Sequence, residues 1–132
     1  MGALVGAFEL FFGYLAKNEA GATCGTICVP VMGNLDGTLS QLLGAKRTSR
    51  LLRGESLVFK EGFEIYARST RTVRNYRHGG AVLAAFADRK MLNALDELAG
   101  VSAMFVVPWD FNEVQDWIKR RGAEVVAEPQ AP

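Results

Sequence analysis

At 132 residues the chain has the length of one domain, long enough to bury a core. A composition of 49% hydrophobic and 22% charged residues, with 14 Gly and 2 Cys, excludes wholesale disorder, a collagen-like chain and a disulfide-dense scaffold, and no apolar run reaches the roughly 18 residues of a membrane span. The formal charge of +1 hides a division: Lys46 to His78 holds nine basic residues against three acids, a net +6, while the rest of the chain carries −5.

Residues 3–16 predict a helix that is apolar nearly all round, with Phe8, Leu10, Phe11, Phe12, Tyr14 and Leu15. Such a helix is either deeply buried or packed on a partner, which motivates the expectation of a homo-oligomer through this segment. It has no cationic start and is interrupted by Glu9, unlike a secretory leader. Gly6 stands where an N-myristoylation signal places Ser or Thr. Asn18-Glu19-Ala20-Gly21 predicts a stop.

Residues 22–32 predict a strand with Ile27, Val29 and Val31 on one face. Pro30 argues against a central place in the sheet, because it cannot donate to the ladder. Gly33 to Gly37 form a turn cluster. Thr38 and Gln41 fit a capping box that opens a helix at about 39–49, striped by Leu39, Leu42 and Leu43. Residues 56–60 and 63–69 predict a hairpin around Glu61-Gly62, in which Phe63, Ile65 and Ala67 alternate with Glu64, Tyr66 and Arg68. Residues 70–78 show no clear period and predict an extended or loop segment, punctuated by Gly79-Gly80.

The last third is the most legible. Ala81 to Ala87 is a continuous apolar run suited to a strand buried on both faces. Asp88 stands at an N-cap position before the helical stripe Met91, Leu92, Leu95 and Leu98, which Gly100 ends. Val101 to Val107 predicts a second buried strand, broken by Pro108-Trp109. Asp110 and Glu113 resemble a capping box for a helix carrying Phe111, Val114, Trp117 and Ile118. That helix closes with Lys119-Arg120-Arg121, where the helix dipole favours cations, and with Gly122. Glu124-Val125-Val126 predicts a short edge strand, and residues 128–132 a loose tail.

Strands alternating with helices on short loops imply parallel strands joined by crossovers. The expected fold is therefore α/β: one domain over residues 1–127, with a mixed sheet, a C-terminal β-α-β-α unit, a central antiparallel hairpin and helices packed on the sheet. The alternative is an α+β arrangement.

Cys24 and Cys28 are spaced C-x3-C, and His78 is the sole histidine. These cannot supply the four ligands of a structural zinc site, so no metal and no cofactor is expected. Reduced thiols in a core fit a cytoplasmic protein. Three functional readings follow. The leading one is a small binding or accessory protein whose basic surface meets polyanions such as nucleic acid, through Arg47, Arg50, Arg53, Arg68, Arg71, Arg74 and Arg77, with Tyr76 interleaved. The second is a small enzyme or ligand-binding protein with a pocket of His78, Asp88, Trp109 and Asp110, since α/β sheets bind ligands at the C-terminal ends of parallel strands. The third is an oligomeric interaction protein that uses its first helix. No membrane partner is expected.

Overall fold

Five strands form one mixed sheet in the order β2-β3-β1-β4-β5, with β1 at Cys24–Val29, β2 at Leu57–Val58, β3 at Glu64–Ser69, β4 at Ala81–Ala87 and β5 at Ala103–Pro108. The computed structural model describes residues 2–17, 24–35, 38–73, 80–98, 101–108 and 110–122. Strands β3, β1, β4 and β5 run parallel, and the two-residue β2 pairs antiparallel with β3. Helices α1 (Gly2–Ala16), α2 (Thr38–Leu43), α3 (Ala45–Leu52), α4 (Arg89–Asp96) and α5 (Phe111–Arg121) pack on both faces, so the fold is α/β as the sequence predicts.

The composition of each strand explains its place. β4 carries no polar side chain and lies between β1 and β5 under helices on both sides, with only Phe86 less than fully buried. β1 is equally buried and occupies the centre of the sheet. This corrects the expectation drawn from Pro30: the strand stops at Val29, so the missing N–H falls outside the ladder. Val31 consequently leaves the face shared by Ile27 and Val29 and is 60% exposed. The hairpin forms where predicted, with the Phe59 N–H donating to the Phe63 carbonyl at 2.9 Å. In β3, Ile65, Ala67 and Ser69 are buried while Glu64, Tyr66 and Arg68 are half-buried. β5 is half-exposed rather than fully buried, because it forms an edge of the sheet among the described residues.

One face is covered by α1, α2 and α3, whose Leu4, Phe11, Leu15, Leu39 and Leu51 join Ile27, Ile65 and Leu83 in one core. The other is covered by α4 and α5, whose Met91, Leu95, Val114 and Trp117 join Cys28, Val82 and Ala84 in a second. Much of the apolar surface of α1 therefore lies against β4 and β5. Leu10, 47% exposed, is the one large apolar side chain that α1 leaves outside among the described residues.

The helix expected at 39–49 is two helices. Gly44 adopts φ 89° between α2 and α3, a conformation that breaks the first helix and that side-chain-bearing residues disfavour. Asp88 caps α4 by accepting from the Met91 N–H at 2.8 Å, and Asp110 caps α5 by accepting from the Asn112 N–H at 3.0 Å. Glu113 does not close a capping box at Asp110. It accepts from the Arg89 N–H at 3.1 Å, which ties the first turn of α5 to that of α4.

The link from β1 to β3 runs through α2 and α3 on one face, and the link from β4 to β5 runs through α4 on the other. The neighbouring strands β1 and β4 thus send the chain to opposite faces, which makes their C-terminal ends a topological switch point. The link from β3 to β4 skips past β1. At its start Val73 is buried in the same core as Cys28 and Val82. At its end Gly80 lies so close to β1 that a Cβ there would overlap the Cys24 carbonyl oxygen. The stop at Asn18–Gly21, Asp36-Gly37 of the turn cluster, Gly79, Gly100, the edge strand at Glu124–Val126 and the tail at 128–132 lie outside the described residues. No helix among the described residues is long and apolar enough to cross a membrane.

Candidate polyanion-binding surface

The sequence of α3, AKRTSRLL, divides cleanly by helical angle. Thr48 and Leu51 turn inward and are buried. Lys46, Ser49, Arg50 and Arg53, spaced i, i+3, i+4 and i+7, share the outward side. Together with Ala45 they line a shallow groove of about 420 Å³. Thr48 holds the first turn in place by donating from its hydroxyl to the Gly44 carbonyl at 2.9 Å.

Glu55 is the carboxylate that meets this groove. Its N–H donates to the Arg50 carbonyl at 3.0 Å, and its oxygens lie 2.8 Å from Arg53 Nε and 3.4 Å from Arg50 Nε. The hydrogen bond from Arg53, helped by the charges of Arg53 and Arg50, holds the Glu55 carboxyl below the usual carboxylate range. It stays ionised at neutral pH and draws the two guanidinium groups side by side. Glu55 pairs with Arg50 and Arg53, while Lys46 lines the same groove and Arg47 lies on its flank over Phe59.

Arg47 sits on the flank of α3 nearest the hairpin, with its guanidinium carbon 5.2 Å from the centroid of the Phe59 ring. Phe59 is stacked on Phe63, with centroids 5.0 Å apart and an interplanar angle of 16°. Phe12 of α1 meets both rings edge-on, at 5.2 and 5.1 Å. The cationic face is therefore bordered by a half-buried aromatic ring that has rigid support behind it.

The other residues of the predicted series are placed differently. Arg68 lies on the opposite face of the sheet from α3, donates to its neighbour's carbonyl, that of Ala67, at 2.8 Å, and lies 5.4 Å from the Tyr66 ring centroid. The sheet separates it from Arg47, Arg50 and Arg53, so these four do not form one stripe. Arg71 is exposed just beyond the C-terminal end of β3, next to the hydrogen-bonded hydroxyls of Ser69 and Thr72. Arg74, Tyr76 and Arg77 lie outside the described residues. Of the candidate pocket, Asp88 and Asp110 stand on one edge of the sheet, each occupied in capping its own helix. His78 and Trp109 lie outside the described residues.

No family model matches the chain, and no curated protein or solved structure matches it significantly.

Several other polar groups have structural partners. Glu64 accepts from the Ser56 hydroxyl at 3.0 Å and from the Tyr66 hydroxyl at 3.1 Å. Burial, reinforced by that hydrogen bond to Glu64, raises the Tyr66 phenol above its ordinary pKa. Burial and the nearby charge of Asp88 push the Cys28 thiol up to about 12. Burial and Glu64 raise Cys24 as well, so neither thiol is a ready nucleophile at neutral pH. Among the described residues no group of three His, Cys, Asp or Glu side chains is placed to hold a metal ion. One backbone outlier marks the switch point: Phe86 has φ 58°, at a register shift between β4 and β5.

Two residues of the α3 surface escape a reading of the sequence. Lys46 joins the arginines only if the helix is carried past residue 49, which then aligns positions 46, 50 and 53. Phe59 is 12 positions beyond Arg47, and nothing in the linear sequence brings them together except the hairpin folding back on α3.

Proposed function

We propose that this protein binds polyanions through the exposed face of α3. The observation that carries the reading is the groove of Lys46, Ser49, Arg50 and Arg53, of whose positive charge Glu55, paired with Arg50 and Arg53, offsets only part. Guanidinium pairs held side by side suit phosphate or sulfate oxygens, and a cationic helix face needs no deep pocket to attract a charged polymer. The test is retention on heparin and its elution by salt. Lys46→Ala with Arg50→Ala should elute at clearly lower salt than the parent while keeping its circular dichroism spectrum; unchanged elution would remove the assignment. Arg71→Ala with Arg74→Ala, in the same assay, reports whether the segment after β3 adds a second cationic site.

The strained backbone at Phe86 favours a second reading, a small-ligand site at the switch point between β1 and β4, with Asp88 beside it. A thermal-shift screen of small anions and nucleotides tests it, with Asp88→Asn expected to abolish any shift. Self-association through α1 would rest on Leu10, and light scattering across a dilution series decides it.

A further inference from the structure

We infer that the polymer favoured by this surface is a single-stranded nucleic acid, with a base stacked against the Arg47–Phe59 pair and neighbouring phosphates held along α3. The inference rests on the polyanion reading and goes beyond it by naming the class of polymer and the residues that select it. Charge alone does not distinguish heparin, a duplex or a single strand. The aromatic border of the groove does. Phe63 stacks on Phe59, the Arg47 guanidinium carbon lies 5.2 Å from the Phe59 centroid, and Arg47 is exposed. Bases stack readily on aromatic rings and on guanidinium planes, but only when they are unstacked from their neighbours, as in a single strand. A sulfated sugar has no flat face to offer, and a duplex keeps its base faces inside.

The dimensions agree. From Lys46 to Arg53 the cationic side of α3 rises about 10 Å at 1.5 Å per residue, long enough for a few phosphates of one strand. Arg47 lies on the same helix as these cations, one turn before Arg50. A base against Arg47 therefore leaves its own phosphate within reach of the Lys46 and Arg50 side chains. Phe59 does not give way under the stack, because Phe63 lies flat behind it and Phe12 closes its edge.

The test uses the full chain and four probes: labelled dT20, labelled rU20, a 20-base-pair duplex and heparin. Anisotropy titrations across salt should show dT20 and rU20 binding roughly tenfold tighter than the duplex. If about three phosphates are contacted, the logarithm of affinity should fall against the logarithm of salt with a slope near −2. Arg47→Lys keeps the charge and removes the plane. Being exposed, it should fold normally, retain heparin binding and lose most of the preference for single strands. Phe59→Leu should do the same, and Phe59→Trp should keep the preference with fluorescence quenched by dT20. Equal binding of duplex and single strand, or an Arg47→Lys variant that keeps the preference, would overturn this inference while leaving the polyanion reading intact. Failure of all four probes to bind at low salt would overturn the polyanion reading itself.

Discussion

Trp117 of α5 donates its indole N–H to Asp96 of α4 at 3.1 Å, and the same carboxylate receives Arg121 at 2.8 Å and Arg120 at 3.2 Å. One side chain thus ties the last turns of both C-terminal helices. Burial disfavours the ionised carboxylate, but the hydrogen bonds from Arg121, Arg120 and Trp117 outweigh it and hold Asp96 below the usual Asp range. Asp96→Ala should cost about 1–3 kcal/mol in urea unfolding followed by Trp fluorescence. Asp96→Asn should cost less, since it keeps an acceptor for the indole. The pH dependence has a definite sign. A carboxyl that ionises at lower pH in the folded chain stabilises it fully above the ordinary Asp pKa of about 3.9, and that contribution disappears as the pH falls through the folded value. The acid arm of the stability curve should therefore be shallower in Asp96→Asn than in the parent.

Glu55→Gln is expected to strengthen polyanion binding, by roughly threefold at low salt with the gain vanishing at high salt. The substitution removes the negative charge paired with Arg50 and Arg53 and keeps an acceptor for Arg53 Nε. Heparin elution or anisotropy reads the outcome directly. A weaker variant would mean that Glu55 matters more by arranging Arg50 and Arg53 than by opposing the polymer.

Gly80→Ala should destabilise the fold by about 3 kcal/mol or more, because its new methyl group would overlap the Cys24 carbonyl, a backbone atom in the central strand that cannot swing aside. Gly13→Ala is the natural contrast. Nothing lies within 4 Å of a Cβ at that position of α1, so the change should gain about 0.5–1 kcal/mol through helix propensity. Thermal melts of the two variants should shift in opposite directions.

Cys28 supplies an alkaline counterpart to Asp96. Its thiol ionises near pH 12 in the folded chain and near 8.5 when unfolded. Its contribution is complete below about pH 8.5 and is lost as the pH rises towards the folded value, by up to about 1.4 kcal/mol per pH unit. Denaturation at pH 7, 9 and 10 should show the parent losing stability faster than Cys28→Ala. Thiol labelling of the native protein should modify Cys24 before Cys28, which is fully buried.

Several of these elements could be read directly from residue order. The run Ala81 to Ala87, the capping carboxylates of Asp88 and Asp110, and the hairpin at Gly62 are set by local chemistry, and each appears where its residues place it. What was not legible depends on contacts between distant segments. Pro30 argued against a central strand, yet β1 is central because it ends one residue earlier. The exposure of β5 depends on what lies beside it, which its own apolar residues do not reveal. The arginine series looked continuous because sequence records spacing. The alternation of β3 sends Arg68 to the face of the sheet away from α3, and only the pairing of strands makes that separation visible.

The placement of β1 also bears on how the chain reaches its native state. Its ladder partners come much later in the sequence, with Cys24 opposite Glu64 and Gly25 opposite Ala81. The floor on which α1 rests is that same β4 together with β5, which is later still. On a ribosome, the apolar first helix and the central strand would emerge long before anything that covers them. Non-local pairing of this kind slows folding and prolongs exposure of sticky surface. Synthesis of this chain should therefore be sensitive to chaperone supply until residue 108 has cleared the exit tunnel, and truncations ending before β4 should aggregate rather than form a smaller version of the sheet.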